Sequence, residues 1–153
     1  MLKESEILQF IQEDKTSMKK HNASVGKKYY DAEHDILNYR MFYFNSDGVL
    51  VEDTTRSNIK ISHPFFPELV DQAVQYMLSN RNRIIRSDDP ALQSRLDDYF
   101  DDEFMCELQE TLTGTIAKGS DYMYAYEGQD ERLHFQYADS MGVVEVRAKE
   151  TDD

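Results

Sequence analysis

Between His63 and Asn80 the apolar residues Phe66, Leu69, Val70, Ala73, Val74, Met77 and Leu78 fall three and four apart, with Glu68, Asp71, Gln72 and Gln75 between them. That spacing predicts a helix with one apolar stripe and one polar side. Pro67 suits the first helical position, where its missing N–H is no loss, and Glu68 complements the positive end of the helix dipole. Burying the aliphatic side chains from Leu69 to Leu78 contributes on the order of 10 kcal/mol. Fixing the backbone costs at least about as much, so the helix needs partners from the flanking chain.

The rest of the chain reads around that helix. Ser5 to Lys20 is expected as a weakly amphipathic, peripheral helix, with Ile7, Leu8, Ile11 and Met18 on one face. His21 to Gly26 reads as a break, Tyr29 and Tyr30 as anchors, and Asp31 as the cap of a short helix ending near Asn38. Met41–Phe44 and Val49–Val51 flank Asn45-Ser46-Asp47-Gly48, whose Asp-Gly pair suits a hairpin. Glu52 to Asn58 reads as a surface loop.

Beyond the central helix, Asp89 and Pro90 start another, and Leu92, Leu96, Phe100, Phe104, Leu108, Leu112 and Ile116 recur every four residues. A row of that period drifts by about 40° per step, so it cannot face one straight neighbour throughout. The expectation is either an unbroken helix of about 43 Å to Lys118 or a bend near Thr113-Gly114-Thr115, with Gly119 as terminator. The period then changes to two. Tyr122, Tyr124 and Tyr126, then Leu133, Phe135 and Tyr137, then Val143 to Val146, predict a small antiparallel meander. The whole is expected to be one α+β domain over residues 1–153, helical over 1–118 with the β-meander over 119–148.

Composition narrows the function. With 40% hydrophobic residues in 153, one domain with a modest core is allowed. Thirty acidic against 17 basic residues, a net charge of −13, argue against a nucleic-acid-binding surface and for basic partners. No stretch approaches the roughly 20 apolar residues of a membrane span. The start MLKESEILQF lacks the basic, then apolar pattern of a signal peptide, which points to the cytoplasm. The lone Cys106 has no internal disulfide partner.

The chemistry-bearing residues read as structural. The acidic run Asp97-Asp98-Tyr99-Phe100-Asp101-Asp102-Glu103 lacks the Gly turn of a calcium loop and is expected as a solvated helix face. His21, His34, His63 and His134 are too scattered for a zinc site, and His34, between Glu33 and Asp35, has no nucleophile motif beside it. Cys106, one turn from Asp102 and Glu110, is expected as a small packing residue because neighbouring carboxylates disfavour a thiolate. The scattered glycines form no phosphate-binding loop. The Tyr122, Tyr124, Tyr126 strand reads as core or subunit contact, and Arg81, Arg83 and Arg86 as a positive patch for a protein contact. Catalytic, cofactor-binding and metal residues are all expected to be none, and the chain is not expected to be an enzyme.

Three segments carry a family resemblance. Asn58-Ile59-Lys60-Ile61-Ser62-His63 with Phe65-Phe66, Leu69-Val70-Asp71-Gln72 and Tyr76-Met77-Leu78 resembles the N-terminal region of portal proteins of long-tailed phages of Gram-positive hosts. Lys28-Tyr29-Tyr30 with Glu33-His34-Asp35-Ile36-Leu37, and Lys118-Gly119-Ser120-Asp121-Tyr122-Met123-Tyr124-Ala125-Tyr126, are similar to two further segments of that family, in the same order. The chain departs at Ser79-Asn80-Arg81-Asn82, where the family has a Gly-Lys-Pro-like turn. Such portals are several times longer, and the resemblance covers their first part.

The resemblance implies a structural role as the outer wing of a portal. In that family about twelve copies form a ring at a capsid vertex, through which DNA is packaged and ejected. It implies other portal subunits, capsid and packaging-motor or neck proteins as partners, a host defence sensor as a further one, and no direct DNA binding or membrane contact by this part. Its place would be the host cytoplasm during assembly, then the portal vertex of the virion, and its gene could derive from a prophage. A stand-alone acidic portal-like interaction protein, an adaptor or a DNA mimic, is the alternative reading.

Overall fold

The structure, a computed structural model, describes residues 3–79 and 85–146. In chain order it has α1 (Glu4–Lys15), α2 (Met18–Tyr30), a single 3-10 turn (Asp35–Asn38), β1 (Phe42–Phe44), β2 (Leu50–Glu52), α3 (Phe65–Leu78), α4 (Pro90–Tyr99), α5 (Asp102–Lys118), β3 (Tyr122–Glu127) and β4 (Leu133–Ala138). It is an α+β chain, mainly helical, with two separate antiparallel strand pairs among the described residues, β1–β2 and β3–β4.

The hub is α5, which α2, α3 and the β3–β4 pair all cover. Among the described residues the buried apolar side chains are Ala23 of α2, Val70 and Val74 of α3, and Phe104 and Ala117 of α5. Small residues let the helices close. A Cβ on Gly26 would lie 2.1 Å from the Ala117 carbonyl oxygen, so α2 and α5 meet backbone to backbone. At the other end of α5 the rings of Phe100, Phe104 and Phe135 cluster with centroids 4.8 to 5.4 Å apart, Phe104 edge-on to both of the others and Phe100 tilted against Phe135, inside the range at which aromatic pairs attract.

Several boundaries differ from the sequence expectation. The first helix ends at Lys15, and Ser17 caps α2, its Oγ accepting from the Lys20 amide at 3.2 Å. The stretch His21–Gly26, expected as a break, is the middle of α2, because Gly26 is required for the approach to Ala117 rather than for a turn. Asp31 closes α2 instead of opening a helix, and Ala32 follows at φ 59°. The helix after Pro90 breaks at Phe100–Asp101, where Asp101 Oδ1 accepts from the amides of Glu103 (2.9 Å) and Phe104 (3.1 Å). A side chain that caps the second helix competes with continuation of the first. The break re-aims the drifting Leu92–Ile116 row, while Thr113-Gly114-Thr115 stays helical. Gly119 ends α5 at φ 90°, as expected.

The β1–β2 hairpin forms with Phe44 opposite Leu50 and Tyr43 opposite Val51. Asn45 Oδ1 organises its turn, accepting from Asp47 N at 3.0 Å and Val49 N at 2.9 Å. In β3–β4, Tyr122 opposes Ala138 and Glu127 opposes Leu133. Val143 to Val146, expected as a third strand, joins no ladder, so the meander is a hairpin. Val143 instead gives its carbonyl to the Lys20 ammonium, at 2.7 Å. Pro67 lies third rather than first in α3, still within the turn whose amides have no intrahelical partner.

Candidate assembly surface

Two kinds of surface meet in this chain: a buried ionic knot that fixes the body, and apolar faces that the body leaves uncovered. The knot lies at the C-terminal end of α5. Lys118 Nζ is 2.8 Å from Asp121 Oδ2 and 2.6 Å from Asp139 Oδ1, and donates to Tyr137 Oη at 2.9 Å. The Asp121 side chain is fully enclosed and also accepts from the Ser140 amide at 2.6 Å and the Tyr137 hydroxyl at 3.0 Å. Its carboxylate occupies the space above Gly114, where a Cβ would fall 1.5 Å from Oδ2. Glu107 adds a bond from the Tyr137 amide. The β3–β4 pair is thereby bolted to α5.

The charges in the knot are held. Burial pulls the Lys118 pKa down, but the bonds to Asp121, Asp139 and Tyr137 outweigh it and the net shift is upward. For Asp139, burial raises the pKa while the Lys118 bond and the Met141 amide lower it further, so the carboxyl lies below its ordinary value. Burial raises the Tyr137 pKa. Lys20 makes a second tie. It reaches the carbonyls of Ser140 and Val143 and pairs with Asp14 at 3.0 Å, joining α1 and α2 to the segment after β4.

The uncovered apolar faces are on the hairpin and on α3. Every residue of β1 and β2 is exposed, Phe44 at 71%, and among the described residues the hairpin makes no extended contact with any other element. Its base is nonetheless well tied. Asp53 N donates to Met41 O at 2.9 Å, Arg40 pairs with Glu52 at 3.2 Å, Asn58 Nδ2 donates to Tyr39 O at 3.0 Å and Lys60 Nζ to Leu37 O at 2.7 Å. Asp53 Oδ1 accepts from the Thr55 hydroxyl and the amides of Thr55 and Arg56, which hold its pKa low against burial.

On α3 the single stripe expected from the sequence divides. Val70 and Val74 are 2% exposed against α5, whereas Leu69 is 63% and Tyr76 84% exposed. Helical geometry puts Phe65, Leu69 and Tyr76 within about 40° of one another and on the far side from Val70 and Val74. The helix is apolar on both sides and the body covers one.

The other singled-out residues do local work. His34 stacks on Tyr29 and contacts Ser62 Oγ at 3.0 Å, His63 stacks on Phe65, and His134 stacks on Tyr126 and meets Asp130 at 3.0 Å. Tyr29 and Tyr30 bond Asp35 (3.0 Å) and Asp71 (3.3 Å), linking α2 to the 3-10 turn and to α3. In the acidic run, Asp97 accepts from Gln93 and Asp101 is a cap, so the run crosses a helix break rather than lining one face. Cys106, expected to be packed, is exposed. Tyr122 is half-buried between Lys19 and Glu145, while Tyr124 and Tyr126 are exposed. Of the arginine patch only Arg86 is among the described residues; Arg81 and Arg83 lie outside them. Among the described residues no three metal-ligating side chains gather, and no helix is long and apolar enough to cross a membrane. A cleft of about 380 Å³ between α2, α3, α5 and β4 opens over Gly114 and the knot.

Comparison with known proteins gives these surfaces their context. Residues 9–153 match the family described as phage portal protein, SPP1 Gp6-like. The chain belongs to that family of phage portal proteins. It is also 31% identical over 112 residues to the portal protein of Bacillus phage SPP1, a match that covers 73% of this chain and 22% of that protein. The chain thus spans about a fifth of the length of this portal relative, and the family is a structural one.

Proposed function

We propose that the chain serves as the wing part of a phage portal, a structural piece of the ring at the capsid vertex through which DNA is packaged and ejected. The observation that carries this reading is the family match over residues 9–153. The uncovered faces agree with it: a helix apolar on two sides and an apolar hairpin belong in an assembly rather than alone in water. Residues 1–153 act as one wing-like domain, and its partners are other portal subunits and capsid or motor proteins.

The DNA-mimic alternative is less well supported, because the acids Asp89, Asp101 and Asp121 serve as helix caps and a buried counter-ion rather than a displayed row. The experiment is co-expression of the chain with the SPP1 portal protein, followed by sedimentation. Recovery of the chain with the portal assembly is expected. A chain that stays separate from portal and capsid subunits at every ratio overturns the proposal.

A further inference from the structure

We propose that Asn58, Lys60 and Ser62 form a latch of side-chain bonds that sets the direction of the β1–β2 arm relative to the helical body. The latch does not depend on the portal reading. Residues 58–62 run back past residues 32–39, and three alternate side chains reach across. Asn58 Nδ2 donates to the Tyr39 carbonyl at 3.0 Å, Lys60 Nζ to the Leu37 carbonyl at 2.7 Å and Ser62 Oγ to the Ala32 carbonyl at 2.9 Å. As the donor moves forward along the chain the acceptor moves back, so the two segments are antiparallel, and alternate side chains share a side as they do in a strand. Among the described residues no backbone–backbone bond joins the two segments. Side chains make every rung.

The residues between the rungs face outward. Ile59 is 82% and Ile61 66% exposed, so the segment turns its polar side chains to the protein and its apolar ones to water, the reverse of what burial selects. Bonds rather than packing hold it. The strands beyond are wholly exposed, and among the described residues no hydrogen bond or ion pair runs from residues 40–57 to the helices. Asn58 therefore closes the neck of the arm, Lys60 ties the neck to the 3-10 turn, and Ser62 anchors it at the end of α2.

The Ser62 rung has a fixed direction. A serine hydroxyl has one proton and a carbonyl only accepts, so the proton on Ser62 Oγ is committed to Ala32. His34 Nδ1, 3.0 Å from the same oxygen, must then be the donor to it. Donation runs from His34 Nδ1–H to Ser62 Oγ and from Ser62 Oγ–H to the Ala32 carbonyl, which fixes His34 as its Nδ1–H tautomer. The ring is stacked on Tyr29 of α2, with centroids 5.3 Å apart. Ala32 is in the left-handed region at φ 59°, a conformation that a residue with a Cβ seldom adopts, and there its carbonyl meets Ser62. The latch thus closes on a residue of α2's terminus whose backbone is unusual and on a histidine whose proton is placed.

Electron spin resonance distances on the whole chain test this, with spin labels at Asp47→Cys on the hairpin turn and Ser24→Cys on α2 and with Cys106→Ser removing the native thiol. Both labelled positions are exposed. With the latch intact the labels should give one narrow distance. Lys60→Met/Ser62→Ala should lose it for a broad distribution while helical circular dichroism and the melting temperature hold, because the bonds lost lie outside the core. Ser62→Thr keeps the hydroxyl and should keep the narrow distance. Nitrogen NMR of the His34 ring should show the Nδ1–H tautomer in the native chain and its loss in Ser62→Ala. A distance already broad with the latch intact, a narrow one that survives the double variant, a melting temperature that falls in the double variant as far as in Phe104→Ala, or an Nε2–H ring in the native chain overturns the inference. Co-sedimentation with the SPP1 portal protein is read separately, so the portal reading stands or falls on its own.

Discussion

The Lys118 ammonium sits 2.8 Å from the Asp121 carboxylate across the turn that links α5 to β3, with both side chains withdrawn from water. Removing one partner of such a pair strands the other charge. Lys118→Met should cost about 3–5 kcal/mol in urea unfolding, and Lys118→Met/Asp121→Leu should recover part of that loss. An additive double mutant would show that the pair is not coupled.

The same knot sets a pH window. Folding lowers the Asp139 pKa from 3.8, so its contribution is present above that pH and fades as pH falls through the folded value. Folding raises the Lys118 pKa from 10.5, so its contribution is present below that pH and fades as pH rises through the folded value. The melting temperature should be level from about pH 5 to about pH 10 as far as this pair contributes. In Lys118→Met the loss on acidification should be smaller than in the native chain, because Asp139 has lost the bond that depressed its pKa. Equal acid limbs in the two proteins would contradict the assignment.

Gly26 should not tolerate a side chain. Its Cβ would meet a backbone carbonyl, not a movable side chain. The roughly 1 kcal/mol that alanine gains in helix propensity is therefore outweighed by overpacking, and Gly26→Ala should destabilise by about 1–2 kcal/mol net. Ser24 lies on the exposed side of the same helix, where Ser24→Ala changes propensity alone and should stabilise by a few tenths of a kcal/mol, roughly the Ser-to-Ala propensity difference. Thermal melts of the two variants side by side separate propensity from packing.

Phe104 is the buried centre of the three-ring cluster and Phe100 its rim. Phe104→Ala is expected to cost about 3–5 kcal/mol and Phe100→Ala appreciably less. Asp101→Ala, which removes the cap at the helix break, should cost about 1 kcal/mol. Chemical denaturation of the three proteins gives the order directly.

The hydrophobic period made α3, the β1–β2 turn at Asp47-Gly48, the Asp89–Pro90 start and the Gly119 stop legible, because each depends on residues within one or two turns of itself. The family resemblance was legible too, since it lies in the order of short segments. The interruption in the Leu92–Ile116 row was legible only as one of two alternatives, an unbroken helix or a bend at the Gly-containing triplet, and neither pointed to Asp101, the side chain that makes it.

What the sequence alone determined was local: which stretches coil, which pair, and that the chain carries more apolar surface than a modest core uses. Tertiary structure alone decided that Gly26 and Gly114 stay inside helices, because their missing side chains are filled by the Ala117 carbonyl and the Asp121 carboxylate from elsewhere in the chain. It also decided which side of α3 is spent on Val70 and Val74 and which side remains open at Leu69 and Tyr76. Spacing records that a residue is apolar and where it points along its own helix. Whether anything stands opposite it is a property of the other helices.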